Sequence, residues 1–128
     1  GTTSPIMGGN VRDGPALRKE GRVAWILLSV AGLFEVVWAY FMKLSDGFSR
    51  PLYTVLTFAF MFVSFWLLSI AMKSLPLGTA YAVWTGIGAV GAFIVGLVVM
   101  GESASPLRIL AAVLIVSGLA LMKLTSSE

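Results

Sequence analysis

Four long apolar runs, joined by connectors too short for more than a turn, constrain this chain more than any other feature. They are Ala24–Met42, Leu52–Met72, Thr79–Met100 and Leu107–Met122. A helix needs about 17–25 apolar residues to cross a bilayer. The first three runs meet that length. The fourth reaches it by taking Pro106 as a first helical residue and Lys123 as an end whose ammonium snorkels to the interface. Hydrophobic residues make up 58% of the 128 residues and charged residues only 12%. A soluble domain carries about a quarter charged residues, and a small particle has proportionally more surface to cover. A soluble globule and a disordered chain are both excluded. The apolar runs are too long, and alternate too little, for the strands of a membrane β-barrel. The expected fold is an all-α membrane protein with four transmembrane helices, spanning about 24–42, 52–72, 79–100 and 106–123.

The connectors KLSDGFSRP, KSLPLG and GESASP place Pro51, Pro76 and Pro106 near segment starts, where a missing N–H costs little. Gly47, Gly78 and Gly101 are expected to supply turn conformations. Residues 1–22 are rich in Gly, Pro, Ser, Thr and charge, and show no apolar period. They are expected to form a flexible tail, with Met7 a candidate native start, ahead of a four-helix unit over 23–125. Arg18, Lys19 and Arg22 before an apolar run resemble the start of a signal peptide. That run carries Glu35 and no A-x-A-like site follows it, so a retained span is expected.

Four spans put both chain ends and the second connector on one side. Near the membrane that side holds Arg22, Lys73 and Lys123, against Lys43, Arg50 and Arg108 opposite. Orientation follows Lys/Arg imbalance, and three against three gives none. Adding Arg18 and Lys19 makes it five against three, a weak bias. Insertion in both orientations is the expectation.

Glu35 is the one acid inside any of the four runs. A carboxylate in hydrocarbon costs several kcal/mol even on lenient scales and is functional by default. Apolar surroundings disfavour its ionised form, so the group can hold a proton or a cation in turn, which a proton-coupled cation carrier requires. Trp38, three residues on, shares its helical face. Its indole N–H can hold the carboxylate, its ring can face a cation, or it packs against lipid. Tyr81 and Trp84 repeat that spacing in the third run, either lining the same cavity or belonging to an interfacial belt. Ser64, mid-span, either reaches the cavity or bonds its own helix.

Gly86 and Gly88 can hinge the third helix or let a neighbour approach closely. Ala111, Leu114 and Gly118 form a narrow stripe on the fourth helix suited to contact with a second copy. The chain has no Cys and no His, which removes thiolate chemistry, disulfides and the usual metal and proton-relay ligands. No nucleotide loop, metal-ligand cluster or nucleophile–base pair occurs. No cofactor and no metal are expected, and a pump driven by ATP or an enzyme is unsupported. A single membrane acid per chain favours a dimer in which two Glu35 side chains share one cavity and titrate as a unit.

The residues resemble the small multidrug resistance transporters, and within them the guanidinium-exporting subtype. The resemblance runs from about Ala24 to Thr125. It is carried by Gly32-Leu33-Phe34-Glu35-Val36-Val37-Trp38-Ala39, Met42-Lys43-Leu44-Ser45-Asp46-Gly47-Phe48 and Ser64-Phe65-Trp66-Leu67-Leu68. The most specific stretch is Leu75 to Ala89, LPLGTAYAVWTGIGA. It implies an antiparallel homodimer that exchanges protons for cations across the bacterial inner membrane. Glu35 would bind proton or substrate, Trp38 and Ser64 would hydrogen-bond and orient it, Tyr81 would be a switching tyrosine and Trp84 a binding-site aromatic. The drug-exporting subtype resembles the chain less well, having Gly in place of Trp38 and Trp-Ser-Gly in place of Trp84-Thr85-Gly86. The tail over 1–22 departs from the family pattern.

The expected function is therefore proton-coupled export of guanidinium or small guanidinyl cations, with protons, the lipid bilayer and a second copy as partners. Export of quaternary ammonium drugs is the near alternative. A non-transporting membrane subunit and a lipid-carrier flippase subunit are the distant ones.

Overall fold

The computed structural model describes residues 15–125, with side chains over 21–125. Four helices account for nearly all of them: α1 (Pro15–Leu44), α2 (Pro51–Ala71), α3 (Leu77–Val98) and α4 (Pro106–Thr125). No strand occurs among the described residues. All four helices are long and apolar enough to cross a membrane, α1 over Gly21–Leu44. The chain is an all-α, four-span protein.

The helix ends follow the local chemistry. Arg50 is extended (φ −103°, ψ 113°) and Pro51, which has no N–H to leave open, starts α2; the Thr54 amide then donates to the Arg50 carbonyl at 2.9 Å. Pro76 caps α3 in the extended region, and its carbonyl takes the Ala80 amide at 2.9 Å. Before α4, the Ser105 hydroxyl accepts the Arg108 amide at 3.2 Å, a side-chain N-cap.

The turn after α1 is tighter than its sequence suggests. Asp46, Gly47 and Phe48 all take left-handed backbone, with φ of 53°, 72° and 64°. That conformation is costly for Phe48. The fully buried Ser45 holds it, its hydroxyl donating to the Met42 carbonyl at 2.6 Å and accepting the Phe48 amide at 3.0 Å. The Phe48 ring then stacks on Phe58 of α2 at 5.5 Å.

Two boundaries differ from expectation. Helical backbone begins at Pro15, so residues 15–22, read as tail, continue α1. Ala16, Leu17, Arg18, Lys19 and Glu20 are strong helix formers behind an N-terminal proline, and the missing apolar period concealed them. Residues 1–14 lie outside the described part. Gly78 was expected in a turn but lies in the first turn of α3, where Pro76 already starts the helix. Gly47 and Gly101 do take the left-handed turn conformation.

α1 is the centre of the bundle, packed against α2 on one side and α3 on the other. Its buried stripe is Ala24, Leu28 and Ala31, which meets Leu68 and Ala71 of α2 and Ala80, Val83 and Trp84 of α3. Small residues let the helices close up, as expected where lipid removes the hydrophobic drive between them. A side chain at Gly32 would strike Ile87, and one at Gly91 would strike Val36. Further along α1, aromatic contacts replace the tight core: Phe34 and Phe41 each meet Phe60 at 5.7 Å, and Phe41 stacks on Tyr53 at 6.1 Å. α4 stands apart. It packs chiefly on α3 and buries none of its residues.

Candidate functional site

Glu35 lies two turns from the end of α1, half-buried, on the face toward α3. Gly88 sits opposite it. A β-carbon there would collide with the carboxylate, so the absence of a side chain at 88 makes room for the acid. Glu35 Oε1 is buried and has no hydrogen-bond partner among the described residues, and the same is true of Trp38 Nε1. A buried acceptor and a buried donor left open side by side on one helix are costly unless something else engages them.

Ser64 is fully buried in α2. Its hydroxyl does not bond within its own helix. It donates to the Ala31 carbonyl of α1 at 2.7 Å and accepts the Trp84 indole N–H of α3 at 3.0 Å. Ala31 is one turn before Glu35, and in α-helical geometry its carbonyl also takes the Glu35 amide. One hydroxyl therefore ties three helices at the turn that carries the acid. Thr57, in the same helix, makes the merely local bond to the Tyr53 carbonyl at 2.7 Å.

Four aromatic rings run from the acid across the bundle. Trp38 meets Phe65 edge-on at 6.3 Å, Phe65 meets Trp84 edge-on at 5.5 Å, and Trp84 lies 5.7 Å from Tyr81. Trp84 is buried, while Phe65 and Tyr81 are about half-exposed at 46% and 54%. Edge-on rings of this kind are mutually stabilising and fix one another's orientation.

The match to the family model for the Small Multidrug Resistance protein covers residues 23–125. The chain belongs to that family. The guanidinium exporter of Escherichia coli strain K12 is 57% identical over 104 residues, covering 81% of this chain and 99% of that relative. The guanidinium exporters of Salmonella typhimurium strain LT2 and Citrobacter freundii are each 55% identical over the same coverage. With four spans and this kinship, this small multidrug resistance protein is a multi-pass protein of the bacterial inner membrane.

The structure of this family member brings some expected residues together and leaves others apart. Glu35, Trp38, Ser64 and Trp84 occupy one region between α1, α2 and α3. Neither Trp38 nor Ser64 is hydrogen-bonded to Glu35 in the single chain, although the resemblance implied it, because Ser64 faces the preceding turn. Tyr81 lies at the outer end of the ring series. Gly86 and Gly88 do not interrupt α3. Gly86 gives way to Leu119 of α4, as Gly88 does to Glu35. Ala111, Leu114 and Gly118 are exposed, and a β-carbon at Gly118 would meet nothing within 4 Å. Phe65 was not singled out from the sequence. Its adjacency to Ser64 was the available signal, since a ring next to an inward-facing hydroxyl flanks the same cleft.

Proposed function

We propose that this protein is a proton-coupled antiporter that exports guanidinium or small guanidinyl cations, working as an antiparallel homodimer built around two Glu35 side chains. The observation that carries the reading is the open Glu35 Oε1 beside a series of aromatic rings. Guanidinium is a flat cation with N–H donors on its edge and no acceptor, so it requires an acceptor-only group and tolerates π-faces above and below. An ionised carboxylate on the same helical face as Trp38, with Phe65 and Trp84 further along the ring series, supplies both. The kinship supports the same choice: relatives at 55–57% identity are named guanidinium exporters.

Coupling follows from competition. A proton and a guanidinium claim the same carboxylate, so loading one releases the other. Ser64 and Trp84 keep the turn before Glu35 in place while that exchange occurs. The exposed α4, with Ala111, Leu114 and Gly118 on its surface, is the surface proposed to meet the second copy. Gly86 and Gly88 are proposed as the place where α3 flexes between the two open states.

The test is electrical current from liposomes reconstituted with the protein on addition of guanidinium, set against tetrapropylammonium. Guanidinium should give proton-coupled current and tetrapropylammonium none. The reverse would place the protein with the drug-exporting subtype. Glu35→Gln keeps volume and removes ionisation, so the variant should fold and carry no coupled current. Substantial coupled transport by it would overturn the assignment of Glu35.

A further inference from the structure

A cavity whose lining does not include Glu35 lies between the end of α1, the end of α3 and the start of α4. Its volume is about 520 Å³. Lys43, from the last turn of α1, and Arg108, from the first turn of α4, both line it, with Tyr40 and Glu102 beside them. Seven residues further into the membrane on each helix, the lining is Val36 of α1 and Ile115 of α4, with Ala89 of α3 and Ala112 of α4. Seven residues of helix advance about 10 Å. The cavity is thus cationic at the level of the helix ends and apolar for two turns toward the bilayer centre.

The basic end is partly ordered by the protein itself. The Arg108 guanidinium lies over the Phe93 ring, 5.3 Å from its centroid, and Phe93 lines the same cavity. That contact holds the guanidinium at the mouth with its N–H donors available. Among the described residues, Glu102 is the one acid on the rim. Its amide donates to the Gly96 carbonyl at 2.9 Å, and its carboxylate lies against Gly96. Two cations and one carboxylate leave the rim with a single positive charge.

We propose that this cavity is a binding site for an anionic phospholipid, the phosphate seated between Lys43 and Arg108 and an acyl chain lying between α3 and α4. The charge of a phosphodiester complements the rim, and an arginine on an aromatic face suits bidentate phosphate contact. A free anion would satisfy the rim and leave the apolar two turns with no partner of their own kind. Basic pockets between membrane helices at headgroup level are the expected place for such lipids. The lipid would also fill the gap beside α4, the helix that packs least on its own chain.

The test uses the full-length protein in detergent, with retained lipid counted by native mass spectrometry. Phosphatidylglycerol should be retained in preference to phosphatidylcholine. Lys43→Gln and Arg108→Gln should each weaken retention about fivefold, and Ala112→Phe, which fills the apolar part, should weaken it with the charges intact. Glu35→Gln should retain lipid as the parent does, so the site stands or falls separately from the transport reading. Equal retention of both lipids, or charge variants that behave as the parent, would overturn the proposal. So would competition by glycerol phosphate as strong as that of the whole lipid, which would mean a free-anion site. A disulfide formed readily between two copies of an Ala92→Cys variant, on the α3 wall of the cavity, would put a second chain in it and overturn the proposal as well.

Discussion

Gly88 of α3 faces Glu35 of α1 so closely that no β-carbon fits between them. The atoms in the way are the carboxylate itself, the free end of a flexible side chain. Gly91 makes the same approach to a different neighbour, the branched Val36, which is stiff at its β-carbon.

The two glycines should therefore respond differently to alanine. Gly88→Ala should fold, because the carboxylate can swing away and alanine gains about 1 kcal/mol of helix propensity over glycine. Its guanidinium transport should drop at least about tenfold, the effect of about 1.4 kcal/mol of lost binding. Gly91→Ala should instead lose about 1–3 kcal/mol of stability through overpacking, with cation affinity little changed in the folded fraction. Thermal unfolding in detergent and guanidinium binding on the same samples separate the two. Equal loss of binding in both variants would mean that Gly88 acts only as a packing residue.

Ser64 offers a comparison with Thr57, since both hydroxyls are fully buried in α2. Ser64→Ala removes the acceptor of the Trp84 N–H and one donor to the Ala31 carbonyl. A buried donor left open costs about 1–3 kcal/mol, so the unfolding midpoint should fall clearly. Thr57→Val removes only a bond within one helix, whose carbonyl keeps its amide partner, and should fall by less. Guanidinium affinity should weaken in Ser64→Ala alone, because Trp84 loses the contact that aims it.

Much of this arrangement could be read from the sequence, and the rest resisted for identifiable reasons. Span lengths mark the helices because hydrocarbon thickness sets a residue count. Glu35 stands out because a lone acid in an apolar run is expensive. The start of α1 was hidden because its first residues form helix by propensity and show no apolar period. Gly78 was misplaced because glycine punctuates turns and opens helices alike, and only the conformation of Pro76 decides which. Ser64 could not be assigned a partner, since the carbonyl it bonds is 33 residues away and any mid-helix serine has a local alternative. The close approaches of Gly86 and Gly88 depend on which helix lies opposite, a matter of packing that no local pattern states.

Trp38 is open to two substitutions that ask different questions. Trp38→Phe keeps a ring against Phe65 and deletes the unpartnered indole N–H. Stability should hold or rise, because a buried donor without a partner has been removed. If that N–H serves the carboxylate during exchange, guanidinium current should still fall. Trp38→Gly deletes the ring as well, opening roughly 150–250 Å² of contact. Guanidinium transport should fall further and bulkier substituted guanidinium ions should gain relative to it. Current ratios across a series of alkyl-guanidinium ions measure both effects. Ratios unchanged in Trp38→Gly would place the ring against lipid and outside the cavity.

The antiparallel homodimer can be tested through the connector after α3. The Lys/Arg count near the membrane is three on each side, five against three with Arg18 and Lys19, and so gives one chain only a weak reason to prefer an orientation. The exposed Ala111, Leu114 and Gly118 leave α4 free to meet a second copy whichever way that copy points. Antiparallel pairing makes the two open states equivalent in structure and close in energy, so one rearrangement serves both faces, as alternating access requires. Ser103 is exposed in this connector, and the chain has no cysteine of its own. In Ser103→Cys, an impermeant thiol reagent added outside sealed, oriented vesicles should label about half of the protein, since dual insertion puts the two orientations in equal number. Permeabilisation should then expose the remainder. Labelling of nearly all or nearly none before permeabilisation would show a single orientation. The shared site would then have to be built from parallel chains, with the two Glu35 carboxylates at equal depth and no symmetry between the open states.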